Sequence, residues 1–99
     1  MNNKTKVNLS YKLNNVRKTK SVTLNSNDTL TKIINESKDL EFFKNRLNES
    51  IFYLINNDKR FKLNKTVKIE KLNLHEGDSI ALTFKDNQEP EIMNRIFIK

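Results

Sequence analysis

One glycine serves this whole 99-residue chain, and it stands in His75-Glu76-Gly77-Asp78, just before an alternating run. Glycine takes positive φ without a steric penalty and Asp bonds its neighbouring backbone, so this tetrapeptide reads as a tight turn. After it Ile80, Leu82 and Phe84 fall on one side of an extended chain, with Ala81, Thr83 and Lys85 on the other. That alternation predicts a strand with one face on a core. Leu72 and Leu74 lie just upstream, so Lys65 to Phe84 drops a connection into the core and then sends a strand through it. The scarcity of glycine also excludes chemistry. A P-loop, a dinucleotide-binding glycine pattern and a nucleophile elbow each need more than one.

Earlier in the chain Val7, Leu9, Tyr11 and Leu13 alternate with polar residues and predict a first strand. Asn14-Asn15 offers a turn, because Asn tolerates the left-handed region. Lys20 to Leu24 resumes the alternation and predicts a second strand, paired with the first as an antiparallel hairpin. Asn27 or Asp28 then caps a helix whose apolar face is Leu30, Ile33 and Ile34, ending near Lys38 to Leu40. Leu40, Phe42, Phe43 and Leu47 suggest a second short helical or looping piece closing one side of the core. Ile51 to Ile55, the run IFYLI, has the β-branched and aromatic density of a strand inside a sheet. Asn56 to Lys59 is a turn, Arg60 to Leu63 a short strand, and Val67 and Ile69 begin the return towards Gly77.

The length fits one domain, here residues 1–84, with 85–99 following as a polar linker and an apolar tail. Absence of cysteine excludes disulfides and thiolate metal sites. No run is long enough to span a membrane and MNNKTKVNLS lacks a signal peptide's apolar block, so a soluble cytoplasmic protein without membrane insertion is expected. The formal charge is +7, and residues 1–27 carry Lys4, Lys6, Lys12, Arg17, Lys18 and Lys20 without an acid. Codon bias towards Lys, Asn and Ile is the simpler explanation of such a stripe; the functional one is contact with phosphate or an acidic protein surface. Lysines greatly outnumber arginines, which argues against bidentate recognition of phosphates or bases.

Hairpin, helix, strand, short strand, connection and strand, in that order, resemble the ubiquitin-like β-grasp family. Four motifs carry the resemblance over about Lys6 to Phe84. Asn27-Asp28-Thr29-Leu30 is similar to the family's Ser-Asp-Thr-Ile, and Asp58-Lys59-Arg60-Phe61 stands where the family has Gly-Lys-x-Leu. Lys65-Thr66-Val67 is similar to Arg-Thr-Leu, and Asn73-Leu74 is followed by the turn and Ser79-Ile80-Ala81-Leu82. The resemblance implies an α+β fold: a mixed sheet of four to five strands with one main helix packed across it, the last strand central and parallel to the first. In size, the strand at the start, lack of cysteine and a Gly-Asp turn the chain also resembles the small bacterial YukD- and EsaB-like accessory components of type VII secretion systems.

Conjugated and sulfur-carrying members of the family end in Gly-Gly, whereas this sequence ends Arg95-Ile96-Phe97-Ile98-Lys99, so neither activity is expected. The receptor-binding apolar position in the third strand corresponds to Leu54 or Ile55, but its companions become Ala81 and Thr83. No catalytic, metal or cofactor residues are assigned. His75 is the single histidine, and Glu76 and Asp78 lack the run of oxygen ligands of a calcium loop. The expected function is a non-enzymatic protein-interaction module within a larger bacterial assembly such as a type VII secretion system. Its candidate partner-binding residues are Lys12, Arg17, Lys18, Lys20, Leu54, Ile92, Ile96 and Phe97, the last three from an apolar cluster too large to leave exposed without reason. The alternative is a small nucleic-acid-binding domain using the lysine-rich hairpin with Tyr11 as a stacking ring.

Overall fold

Asn14 and Asn15 both take positive φ, 53° and 67°, the geometry of a two-residue hairpin turn whose twist matches that of its strands. The strands therefore pair from the turn outward without a break. In the computed structural model, which describes residues 4–84, β1 (Lys4–Leu13) and β2 (Val16–Asn25) run in register from Leu13 opposite Val16 to Lys4 opposite Asn25. The second strand thus begins four residues before the alternation at Lys20 to Leu24 suggests. It is an edge strand, so its outer positions need no apolar residues.

The helix, α1 (Leu30–Glu36), also differs from expectation at its start. Thr29 is its cap, with extended φ and ψ, and its hydroxyl accepts from the Lys32 amide at 3.4 Å. Neither Asn27 nor Asp28 takes that place, and the stretch that holds them is tied to the later connection. The amides of Ile69 and Glu70 donate to the carbonyls of Asp28 and Ser26, and Thr29 bridges to Lys68. Asp28 instead accepts at its carboxylate from the Lys32 ammonium, 3.2 Å away, with Glu36 3.7 Å on its other side. Two turns suffice to bury Leu30 and Ile34 completely.

Ser37 ends α1 in an extended conformation, and a 3₁₀ turn (Lys38–Leu40) leads into α2 (Glu41–Lys44) and a second 3₁₀ turn (Leu47–Glu49). Leu40 and Phe43 enter the core, whereas Phe42 is 53% exposed. Successive helical residues point about 100° apart, so two adjacent phenylalanines cannot both face inward. Phe42 packs edge-on against Phe84 at 5.3 Å, and Phe43 stacks on the same ring at 4.8 Å.

The chain continues as β3 (Ser50–Asn56), β4 (Lys59–Leu63), a 3₁₀ turn (Ile69–Leu72) and β5 (Ser79–Phe84). Strand order is β2-β1-β5-β3-β4. β5 is central, parallel to β1 and antiparallel to β3. The mixed five-stranded sheet and its short helices form the expected α+β β-grasp, although α1 is a modest helix and α2 shares its role as cover.

Gly77 has φ 86° and its turn is joined to the first strand rather than standing apart. Its amide donates to the Lys6 carbonyl, the Asn8 amide to the Asp78 carbonyl, and the Lys6 amide to a carboxylate oxygen of Glu76. Asp78 accepts from the His75 amide at 2.7 Å. Both acids flanking the glycine thus serve backbone amides. The turn sets β5 in register beside β1, with Leu9 opposite Ile80 and Tyr11 opposite Leu82.

Candidate functional site

Strand alternation divides the sheet into two unlike faces. Val7, Leu9, Tyr11, Leu24, Phe52, Leu63, Ile80, Leu82 and Phe84 point towards the helices and form the core. The opposite face, called open because no described helix packs on it, is built from Asn8, Ser10 and Lys12 on β1, Ala81 and Thr83 on β5, Ile51, Tyr53 and Ile55 on β3, and Arg60 and Lys62 on β4; Ala81 and Thr83 at its centre are themselves buried. The register places Tyr53 beside Ala81 and Ile51 beside Thr83, so the small side chains of β5 form the floor of a trough. Ile51, Tyr53 and Ile55, all half-buried, make its apolar wall.

Every charged residue in the five strands is a cation, with Lys4, Lys6, Lys12, Arg17, Arg60 and Lys62 on this face and Lys18, Lys20 and Lys59 on the helix-facing one. The described acids lie in helices, turns and connections, among them Glu36, Asp39, Glu41 and Glu49 under the helix-facing side. Arg60 lies over the ring of Tyr53 with its guanidinium carbon 4.0 Å from the centroid, so one cation is held directly on the apolar wall. An apolar strip within positive charge can anchor a partner through buried area and select it by sign.

The candidate residues read from the sequence do not all meet here. Lys12 and Arg17 are directly opposite one another across the hairpin and belong to the open side. Lys18 and Lys20 stand opposite Tyr11 and Leu9, hence on the helix-facing side of the edge strand, where the Lys20 ammonium lies 3.1 Å from Asp39. The hairpin's charge is therefore split between two faces. Leu54 stands opposite Ile80 and Phe61 and packs on the core, so of the two apolar residues considered in β3 the open-face position falls to Ile55. Tyr11 is 4% exposed and meets Phe43 edge-on at 6.0 Å, which removes it as a stacking platform. Ile92, Ile96 and Phe97 lie outside the described residues.

Tyr53, Ile51, Arg60 and Lys62 are the members of this surface that the sequence reading left out. Odd positions within IFYLI carry the signal, but a run with no polar residue conceals its alternation. At the edge of this face a cleft of about 440 Å³ is lined by Ile51 and Lys62 together with Ser50, Leu63 and Lys65; the Lys65 ammonium donates to the Ser50 carbonyl at 2.7 Å and is a structural tie. Among the described residues no group of three or more His, Cys, Asp or Glu could hold a metal, and no helix is long and apolar enough to cross a membrane.

No family model matches the sequence, and no curated protein does. Solved structures do match. The chain is similar to the ubiquitin-like domain of PLXNC1, with TM-score 0.64 and 14% identity over 84% of this chain and 100% of that one. It is similar to the ubiquitin-like domain of tubulin-binding cofactor B, with TM-score 0.62 and 14% identity over 90% and 100% of the two chains. A designed protein based on ubiquitin gives TM-score 0.53 and 12% identity over 87% and 94%. The fold is ubiquitin-like, and at such identities the likeness concerns fold alone.

Proposed function

We propose that this chain is a non-catalytic protein-interaction module whose open sheet face receives a partner segment of apolar residues set among carboxylates. The observation that carries this reading is the wall of Ile51, Tyr53 and Ile55 within strands whose every charge is positive. Tyr53 and Ile55 supply the anchors, while Lys12, Arg17, Arg60 and Lys62 raise the encounter rate with an acidic surface and disfavour basic competitors. The module serves as an accessory component of a larger bacterial assembly, in the cytoplasm; its resemblance to YukD- and EsaB-like proteins in size and in the Gly77-Asp78 turn supports a type VII secretion system as that assembly.

The test compares baits. The full chain, a Tyr53→Ala/Ile55→Ser variant and a Lys44→Glu/Lys71→Glu variant away from the open face are used to capture partners from a bacterial extract. Loss of a specific protein by the first variant and its retention by the second supports the reading; equal capture by all three overturns it. The purely cationic strands also favour nucleic acid as the alternative partner. That reading predicts oligonucleotide binding whose affinity falls with log salt by roughly 0.7 to 0.9 per phosphate neutralised, and it loses if binding is absent.

A further inference from the structure

Among the described strands β4 closes one side of the sheet, bonded to β3 alone. Asn56 and Lys59 flank a two-residue turn and face one another across the hairpin, which makes them a hydrogen-bonded pair. Bonded and non-bonded pairs alternate along an antiparallel ladder. Phe61 and Leu63 therefore also bond to β3, whereas the backbone N–H and C=O groups of Arg60 and Lys62 point outward. Side chains alternate as well, with Arg60 and Lys62 on the open face and Phe61, 46% exposed, on the other. We propose that this edge takes a sixth strand from a protein partner: an extended segment with two carboxylates opposite Arg60 and Lys62, and between them an apolar side chain opposite Phe61. The pattern of acid, apolar residue and acid reads alike in both chain directions. The inference goes beyond the contact proposed for Tyr53 and Ile55, because it rests on backbone groups at the edge, and either can fail without the other.

Three observations choose this occupant and this edge. The first is charge. A sheet edge invites pairing with a second copy of itself, but an antiparallel register of two β4 strands centred on Arg60, Phe61 or Lys62 sets cation against cation. The same cations that oppose self-pairing suit carboxylates, and Arg60, stacked on Tyr53, keeps its in-plane N–H donors for one. The second is the exposed ring at the centre of the strand. β2, the other edge, presents only Arg17, Lys18, Thr19, Lys20 and Ser21 between its valines, and Lys20 already faces Asp39. The third is the cleft at the Leu63 end of β4, which Lys62 lines together with Asn64. The side-chain oxygen of Asn64 accepts from the Thr66 amide at 3.0 Å and the Thr66 hydroxyl at 2.8 Å. Its NH2 group is thereby left to donate, so a carboxylate opposite Lys62 gains an amide donor in the same cleft.

The probe is the capped peptide Glu-Val-Glu-Val-Glu-Val, added to the full isotope-labelled chain at low salt, with Lys-Val-Lys-Val-Lys-Val as its charge-reversed counterpart. Hydrogen exchange at the outward amides of Arg60 and Lys62 should slow severalfold as the acidic peptide saturates the chain, with Thr19 and Ser21 on the edge of β2 unchanged and no slowing by the basic peptide. Lys62→Ala keeps the N–H and should weaken binding a few-fold. Lys62→Pro removes the outward donor while sparing the ladder to β3, and should weaken binding about tenfold further. Unmoved resonances of Phe52 and Leu82 show that the proline variant is folded, and the exchange measurement on the unaltered chain stands in either case. No slowing at Arg60 and Lys62 with the acidic peptide in large excess overturns the proposal, as does equal slowing by the basic peptide or slowing at Thr19 and Ser21 instead. Slowing without peptide that grows with protein concentration marks a second copy and also overturns it. Shifts confined to Tyr53, Ile55 and Ala81, with no slowing at the edge, leave the open-face reading standing and overturn this one. The open-face reading fails separately, when the Tyr53→Ala/Ile55→Ser bait captures as the full chain does while the edge is still protected.

Discussion

Arg60 and Tyr53 are diagonal neighbours across β3 and β4, and the guanidinium of the first lies over the ring of the second with its central carbon 4.0 Å from the centroid. Diagonal pairs of long and aromatic side chains are a regular source of sheet stability, and a cation on an exposed ring adds about 0.5 to 1 kcal/mol. A double-mutant cycle with Arg60→Ala and Tyr53→Leu, followed by urea denaturation, should give a coupling of that size. Coupling indistinguishable from zero would mean that the contact is incidental and that Tyr53 is not held ready for a partner.

The turns predict opposite responses to small backbone changes. Gly77 sits at φ 86° with nothing within 4 Å of where a Cβ would stand, so Gly77→Ala carries a backbone cost alone, about 1 to 2 kcal/mol. Asn15 at φ 67° is an Asn in a position that glycine prefers, so Asn15→Gly should be neutral or stabilising by a few tenths of a kcal/mol. Thermal melts of the two variants should move in opposite directions or leave Asn15→Gly unmoved. A stabilising Gly77→Ala would contradict the assigned turn geometry.

What could be read from the sequence followed where alternation had contrast. Val7 to Leu13 and Ile80 to Phe84 each set apolar against polar, and both became strands with the expected inward face. Arg17 to Ser21 had no such contrast, because an edge strand is only partly covered, and β2 therefore reached further than its pattern. In IFYLI the contrast vanished for the opposite reason. Both sides are apolar, so the pattern alone leaves Leu54 and Ile55 as alternatives for one partner-binding position and does not single out Tyr53. Asp28 looked like a helix cap because local composition cannot reveal that its carbonyl is engaged by Ile69, forty-one positions away. Splitting of the basic hairpin between two faces was implicit in strand periodicity and became visible once the register fixed Lys20 beside Leu9.

Replacing Arg17, Lys18 and Lys20 together by Gln should change stability little. The Lys20–Asp39 pair, with side chains 30% and 62% exposed, is worth at most about 1 kcal/mol and is screened by salt. Any loss on urea denaturation should therefore shrink as ionic strength rises. A loss of several kcal/mol that is independent of salt would show that the hairpin charges are structural.

Lys32 supplies a pH signature. Its hydrogen bond to Asp28, then the charge of Asp28 and that of Glu36, raise its pKa above the ordinary lysine value. A raised folded-state value means that the contribution is fully present below the unfolded pKa, about 10.4, and disappears as pH climbs through the folded one. The full chain should thus hold this contribution at neutral pH and lose it in strong alkali. Lys32→Gln should flatten that alkaline limb; melting curves with the same alkaline slope for both proteins would refute the assignment.

Leu82 tests the architecture itself. It is 2% exposed and stands between Tyr11 on β1 and Phe52 on β3, so its side chain is shared by both halves of the sheet. Leu82→Ala removes buried methyl groups where backbone hydrogen bonding on both flanks restricts collapse of the cavity, and the expected loss is about 2 to 5 kcal/mol. Against a domain stability of roughly 5 to 15 kcal/mol, that is enough to bring the urea midpoint down sharply. Leu82→Met, which nearly conserves volume, should cost less than about 1.5 kcal/mol. The pair of variants separates loss of packing from general intolerance at the site. Losses under about 1 kcal/mol for the alanine variant would place Leu82 outside the core and β5 away from the sheet centre.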